Sequence, residues 1–192
     1  MKINAIILGA GNSTRFGGKK LLTDFKGKPL IMHIIEEAIQ VEFQDIILVT
    51  QYEELIDLKI NHTINIVENE NVDKGISHSI ALGIKAGRAC DAYMFLVGDQ
   101  PFVTWQVMEG LIGCFEKDKQ QILCIGYQGR RGSPTLFDSY YKEELLALVG
   151  DTGGKQVMQK YPGQVEVYEV EDIKVLEDID TREDWGRLVN IL

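Results

Sequence analysis

Ile3-Asn4-Ala5-Ile6-Ile7-Leu8 runs straight into Gly9-Ala10-Gly11-Asn12-Ser13-Thr14-Arg15-Phe16-Gly17-Gly18-Lys19-Lys20. The first stretch is apolar and rich in isoleucine, and it reads as a buried strand. The second is a polar loop whose glycines let the backbone turn tightly and bring N–H groups close to phosphate oxygens. Arg15, Lys19 and Lys20 place positive charge in the same loop. The loop lacks the Gly-Lys-Ser/Thr ending of a Walker loop, and its glycines miss the G-x-G-x-x-G spacing of a dinucleotide fingerprint. Glycines also make ordinary turns. The basic residues beside them turn the reading toward phosphate binding.

Strand-like and helix-like stretches alternate along the rest of the chain. Short apolar or alternating runs predict strands over 45–50, 63–68, 92–97, 122–127 and 165–170. A further strand over 133–137 contains Pro134, which predicts an edge or an irregular stretch. Helices are expected over 29–40 with Pro29 at the first position, 53–58, 77–89, 104–115 with Thr104 as cap, 139–148, 154–161 and 182–192. Such alternation implies a mainly parallel sheet covered on both faces, a three-layer α/β sandwich. Ligands of such sheets bind beyond the C-terminal strand ends. The glycine-rich loop and the turn Gly98-Asp99-Gln100-Pro101 both fall there. No repeat, low-complexity stretch or linker divides the chain, so residues 1–192 are expected to form a single domain.

Composition narrows the function class. The chain has 192 residues, 45% of them hydrophobic, which is enough for a sizeable core. The formal net charge of -9 argues against a general nucleic-acid binder. An acidic protein that handles phosphates must concentrate its cations, or use a metal and backbone N–H groups. Cys90, Cys114 and Cys124 have no paired spacing and read as small apolar side chains in or near the core. His33, His62 and His78 show no metal-like spacing. Trp105 and Trp185 read as helix-packing residues. The first apolar run is too short for a membrane span or a secretory signal, so no membrane contact and a cytoplasmic location are expected.

The loop resembles the L-A-A-G-x-S-x-R-M-G-x-x-K signature of the molybdenum cofactor nucleotidyltransferases, particularly the cytidylyltransferase branch. Gly11, Ser13, Arg15, Gly17 and Lys20 fall on its marked positions, with Gly9 in place of alanine and Phe16 in place of methionine. The resemblance continues through Leu21-Leu22, Gly27-Lys28-Pro29-Leu30, Gly75-Ile76-Ser77-His78-Ser79, Gly98-Asp99-Gln100-Pro101, Gly132-Ser133-Pro134 with Phe137, Gly150-Asp151-Thr152-Gly153 and Asp178-Ile179-Asp180-Thr181. It implies the nucleotide-diphospho-sugar transferase fold. The implied reaction is cytidylyl transfer from CTP to the phosphate of a molybdopterin-type cofactor, releasing pyrophosphate. The acceptor phosphate is itself the nucleophile, so the protein must align two anions and neutralise developing charge.

The same resemblance distributes the roles. Arg15, Lys20 and Asp99 are expected to act in catalysis. Leu8, Gly9, Ala10, Gly11, Ser13, Lys20, Gly75, Ser77, Ser79 and Asp99 are expected to bind the nucleotide. Gln100, Ser133, Pro134, Asp151 and Lys155 are expected to bind the acceptor. Asp99 and Asp180 are expected to hold Mg²⁺ or Mn²⁺, although Asp99 also suits a plain turn cap. Transient contact with a molybdoenzyme is a further implication. Ser133 stands where the family has histidine, Lys155 where it has arginine and Arg182 where proline is usual; these departures allow a different acceptor. A guanylyl- or sugar-phosphate-transferring relative is the alternative enzyme. Ala10 counts against guanylyl transfer, because that branch carries glycine there. A non-catalytic nucleotide-binding accessory protein for a molybdoenzyme is the alternative outside enzymes.

Overall fold

In a computed structural model of the chain, residues 1–56, 64–117 and 119–190 are described. The far end of the helix expected over 53–58, residue 63 of the strand expected over 63–68, His62 and the last two residues of the closing helix lie outside them. Strand β1 (Ile3–Gly9) is buried along nearly its whole length. Its neighbours are β4 (Asp45–Thr50) on one side and β6 (Ala92–Val97) on the other, both parallel to it. The two-residue strands β2 (Asp24–Phe25) and β3 (Lys28–Pro29) form a separate antiparallel ribbon. Strands β5 (Ile64–Glu68), β7 (Ile122–Tyr127), β8 (Arg130–Asp138) and β9 (Val165–Glu169) complete a sheet of order β5-β4-β1-β6-β8-β7-β9.

The alternation of side chains along each central strand feeds two cores. Ala5 and Ile7 of β1, Leu48 of β4 and Met94 and Leu96 of β6 point into one. Ile6, Ile47, Val49 and Phe95 point into the other. Helices α1 (Leu30–Ile39) and α4 (Trp105–Gly113) cover the first face. Helices α3 (Ile76–Ala86), α5 (Lys142–Leu146) and α6 (Gly154–Lys160) cover the second. The short α2 (Glu53–Ile56) buries Leu55, and α7 (Arg182–Val189) buries Leu188 in the first core. Each fully buried Ile, Leu or Phe contributes roughly 1.5–3 kcal/mol of transfer free energy. The three-layer α/β sandwich is therefore as expected.

The sheet is mixed at one place. β8 runs antiparallel to both β6 and β7, so the Pro134 segment lies in the sheet interior and is not an edge. The irregularity is real: Thr135 pairs with Cys124 and Gly132 with Ile125, so the ladder skips Ser133 and Pro134. A proline without an N–H costs nothing where no ladder bond is made. The Ser133–Pro134 bond is cis. Pro29 precedes its helix as cap residue instead of opening it. Thr104 makes no side-chain cap; the Glu37 carboxylate of α1 accepts from the Trp105 N–H at 2.8 Å instead. Cys124 is buried and Cys90 half-buried, but Cys114 is exposed. Trp105 and Trp185 both pack on the first core.

Candidate active site

The glycine-rich loop leaves β1 with its carbonyls already engaged. Thr50 Oγ donates to the Gly9 carbonyl at 3.1 Å, Gln51 Nε2 to those of Ala10 and Gly11 at 3.0 and 3.2 Å, and the Tyr52 hydroxyl to Gly11 at 3.1 Å. The end of β4 thus holds the loop by its acceptors and leaves the donors of the same peptides for a ligand. Ser13 and Gly17 adopt φ of 50° and 75°, and the N–H groups of Phe16 and Gly17 close on the Ser13 carbonyl at 3.1 Å. Phe16 anchors the loop in the core. The Arg182 guanidinium stacks on its ring at 4.0 Å and donates through Nε to its carbonyl at 3.2 Å. Two departures from the resembled pattern, Phe16 and Arg182, therefore form one contact.

Lys20 follows on a short 3-10 turn and is buried. Its ammonium lies 2.7 Å from an Asp99 oxygen and 3.3 Å from an Asp180 oxygen. Arg15, largely exposed, reaches the other oxygen of Asp180 at 3.1 Å. Gly98 N–H donates to the Leu8 carbonyl at 3.0 Å and sets Asp99 beside the loop. Asp180 is placed from the far end of the chain: the Ile179 N–H donates to the Asp99 carbonyl at 3.0 Å, and Thr181 with Asp184 forms a capping box that opens α7. The two carboxylates thus converge on one cationic centre. Asp178 lies next to them. Crowding by the surrounding protein, and then the charge of Asp99, push its pKa up to about 6. Water still reaches this side chain, which screens the effect.

A cleft of about 560 Å³ opens above these groups. Leu8, Ala10, Gly11, Ser13, Arg15, Lys20, Gly75, Ser79, Asp99 and Asp180, all named from the sequence, line it together. Gly9 does not; a Cβ there would meet the side chains of Ile31 and Leu48, so this glycine serves packing. Ser77 is buried with its hydroxyl toward the Lys74 carbonyl and is absent from the lining. Asp151, expected at the acceptor, lines this cleft instead. Asn12, Thr14, Val72, Asp73 and Ile76 line it without having been singled out from sequence.

A second cavity of about 610 Å³ adjoins the first, and Leu8, Ile76 and Val97 line both. Its floor is apolar, with Ile80, Phe95 and Met158. Among the described residues its charged lining is Arg131 and Lys155, both cationic. Ser133 and Lys155, named from the sequence for the acceptor, line this cavity together, whereas Pro134 is buried beside it. Gln100 lines neither cavity. It is buried, its side chain bonds Asp178, and its Oε1 has no hydrogen-bond partner.

The donor set suits a divalent cation of the Mg²⁺ or Mn²⁺ kind. Asp99 and Asp180 supply hard carboxylate oxygens within about 3 Å of a common point, now the Lys20 ammonium. Among the described residues no group of three or more metal-type side chains gathers. Mg²⁺ commonly takes only one or two protein carboxylates and completes its shell with substrate phosphates and water.

A three-layer α/β sandwich thus carries a glycine loop whose Arg15 and Lys20 meet two converging carboxylates in one cleft, and the family of the chain gives the class, a nucleotidyltransferase. The chain belongs to the MobA-like NTP transferase domain family, whose sequence profile matches residues 5–165. It is 43% identical over 147 residues to a probable molybdenum cofactor guanylyltransferase of Thermococcus sibiricus, covering 75% of this chain and 71% of that one. A probable molybdenum cofactor guanylyltransferase of Natranaerobius thermophilus is 29% identical over 143 residues, covering 73% and 67%. The crystal structure of Rv0371c from Mycobacterium tuberculosis superposes with a TM-score of 0.86 at 22% identity, over 100% of this chain and 99% of that one. The fold expected from the resemblance is thereby shown, and with it nucleotidyl transfer as the activity. The cytidylyl branch is not singled out, because both sequence relatives carry the guanylyl name. Among the described residues no helix is long and apolar enough to cross a membrane.

Proposed function

We propose that the chain transfers a guanylyl group from GTP to the phosphate of a molybdopterin-type acceptor and releases pyrophosphate. The observation that carries the two-substrate reading is the junction of the cavities. A cleft with a phosphate loop and paired carboxylates meets an apolar cavity whose charged lining is cationic. A triphosphate suits the first. An anion with a flat, weakly polar body suits the second. In the reaction an acceptor phosphate oxygen forms a bond to the α-phosphorus, and the bond from the α-phosphorus to the bridging oxygen breaks toward pyrophosphate. Arg15 and Lys20 stand where charge accumulates on the transferring and leaving phosphates. Asp99 and Asp180 would hold the divalent cation, which neutralises triphosphate charge and lets carboxylates belong in an anion site. The loop N–H groups orient the phosphates, and the second cavity keeps the acceptor aligned for in-line attack.

The names of the two relatives support GTP as donor. Ala10 supports a second reading, CTP, because its methyl group lines the cleft where the guanylyl branch carries glycine. Participation of strands and loops from both ends of the chain in one site supports reading residues 1–192 as one domain. The test is pyrophosphate release with molybdopterin, Mg²⁺ and each of GTP, CTP, ATP and UTP in turn. Fastest release with GTP is expected. Fastest release with CTP would move the reading to cytidylyl transfer. Nucleotide binding without release under any condition would favour the accessory-protein role.

A further inference from the structure

We propose that Asp73 selects the base of the nucleotide, accepting hydrogen bonds from its exocyclic amine; this rests on reading the cleft as a nucleoside triphosphate site. Asp73, an exposed residue, lines the cleft, yet it stands apart from the carboxylates that meet Lys20. It follows β5, three strand positions from β6, whose end carries Asp99. At the usual spacing between strands those two strand ends are about 14 Å apart. Among the described residues no hydrogen bond or ion pair to the Asp73 side chain is found. A lone carboxylate facing triphosphate oxygens would repel them. Its place in the cleft therefore belongs to the part of the nucleotide that carries no negative charge. Val72 and Ile76, the apolar lining residues on either side of it in sequence, fit the faces of a base.

The segment is built to hold the backbone at Asp73 still. Asn69 is buried; its N–H donates to the Thr50 carbonyl at 2.7 Å, its Nδ2 to the Ser79 hydroxyl at 3.0 Å, and its Oδ1 accepts from the Asn71 N–H at 2.9 Å. A 3-10 turn over Val72–Lys74 then closes with the Lys74 N–H on the Asn71 carbonyl and the Gly75 N–H on that of Val72, both at 3.0 Å. Gly75 has φ of 78°, and a Cβ there would lie 2.4 Å from the Gly150 backbone. The turn is therefore pinned at both ends, which is the preorganisation a selective contact needs. A carboxylate accepts only. It suits a base edge bearing an amine, as guanine, cytosine and adenine do. Uracil has no amine to offer, and a carbonyl turned toward Asp73 would be repelled.

The experiment compares wild type with Asp73→Asn, measuring the affinities of the Mg²⁺ complexes of GTP, CTP, ATP and UTP, and of pyrophosphate, by calorimetry. Asparagine keeps the size but replaces one acceptor with a donor, which tolerates a carbonyl. The preference of the favoured triphosphate over UTP is expected to fall about ten-fold or more. Pyrophosphate, which has no base, is expected to bind the two proteins alike. An unchanged preference, or equal weakening of all four triphosphates, would overturn the assignment of Asp73 to the base. Wild-type protein that binds pyrophosphate but no triphosphate, or neither, would instead overturn the nucleotide reading itself and the inference with it.

Discussion

The Lys20 ammonium bridges Asp99 and Asp180 at 2.7 and 3.3 Å, and it is nearly buried. It holds the carboxylates together, and under the proposed function it would also present charge to phosphate. Lys20→Ala is expected to lower turnover about 10²-fold or more, a loss on the order of 3 kcal/mol of transition-state stabilisation. It should also destabilise the protein, because two carboxylates are left facing each other. A divalent cation neutralises the same pair. Mg²⁺ should therefore raise the unfolding temperature of the variant more than that of wild type, without restoring turnover. Wild-type turnover in Lys20→Ala would remove the residue from the chemistry. Asp178 gives a pH-dependent prediction for metal-free protein. Its folded pKa of about 6 lies above the unfolded carboxylate value, so the folded state binds the extra proton between them. Its contribution to stability therefore falls as pH rises through that window. Asp178→Asn should lose less stability than wild type between about pH 4 and pH 6. Parallel curves of unfolding temperature against pH would contradict this.

At the scale of elements, the start of α3 is placed by a close backbone approach. Gly75 combines φ of 78° with a Cβ position 2.4 Å from the Gly150 carbonyl oxygen. No flexible side chain can move aside there. Gly75→Ala should cost about 1–3 kcal/mol from backbone strain alone, with the clash added. Gly163, which has open space around its Cβ position, is the control, and Gly163→Ala should be nearly neutral. Equal denaturation midpoints for the two variants would show that Gly150 yields without cost. The sequence pattern placed the start of this helix one residue late and could not see the constraint, because Gly150 is far along the chain. The cap of α4 is similar. Thr104 has the right chemistry, yet Glu37 of α1 reaches the Trp105 N–H. A cap inferred from neighbours in sequence misses a carboxylate delivered by another helix.

At the scale of the molecule, the two cavities differ in charge. A chain of net charge -9 sets Arg15 and Lys20 among Asp73, Asp99, Asp151 and Asp180 in one cleft, whereas the charged lining of the adjoining cavity, among the described residues, is Arg131 and Lys155. Lys20 was legible as a cation at the end of a glycine loop; Asp99 follows a strand end, where a plain turn cap was the equal alternative, and Asp180 was legible only through the family resemblance. Asp73 and Arg131 were not legible. Nothing in their local sequence separates them from ordinary surface charges, and only the folded surface shows that they face cavities. The place of Asp151 was hidden for the same reason: its loop packs against Gly75 and brings it to the first cleft.

By themselves, the residues of β1, β4 and β6 determined a buried α/β sheet, since continuous apolar runs can be hidden only with cover on both faces. Likewise, the glycine loop with its cations determined that the first strand ends in a tight, locally basic turn, the basis for proposing a phosphate site there. Tertiary structure alone decided strand order and direction. Periodicity reports which faces of a strand are buried but not which strand lies beside it. Hence β8 could enter antiparallel between β6 and β7, with Pro134 at a skipped pair where its missing N–H does no harm. Tertiary structure also joined Arg182 to Phe16 and Asp180 to Lys20 across most of the chain. Such contacts follow from the packing of α7 against the loop, and no local pattern encodes them.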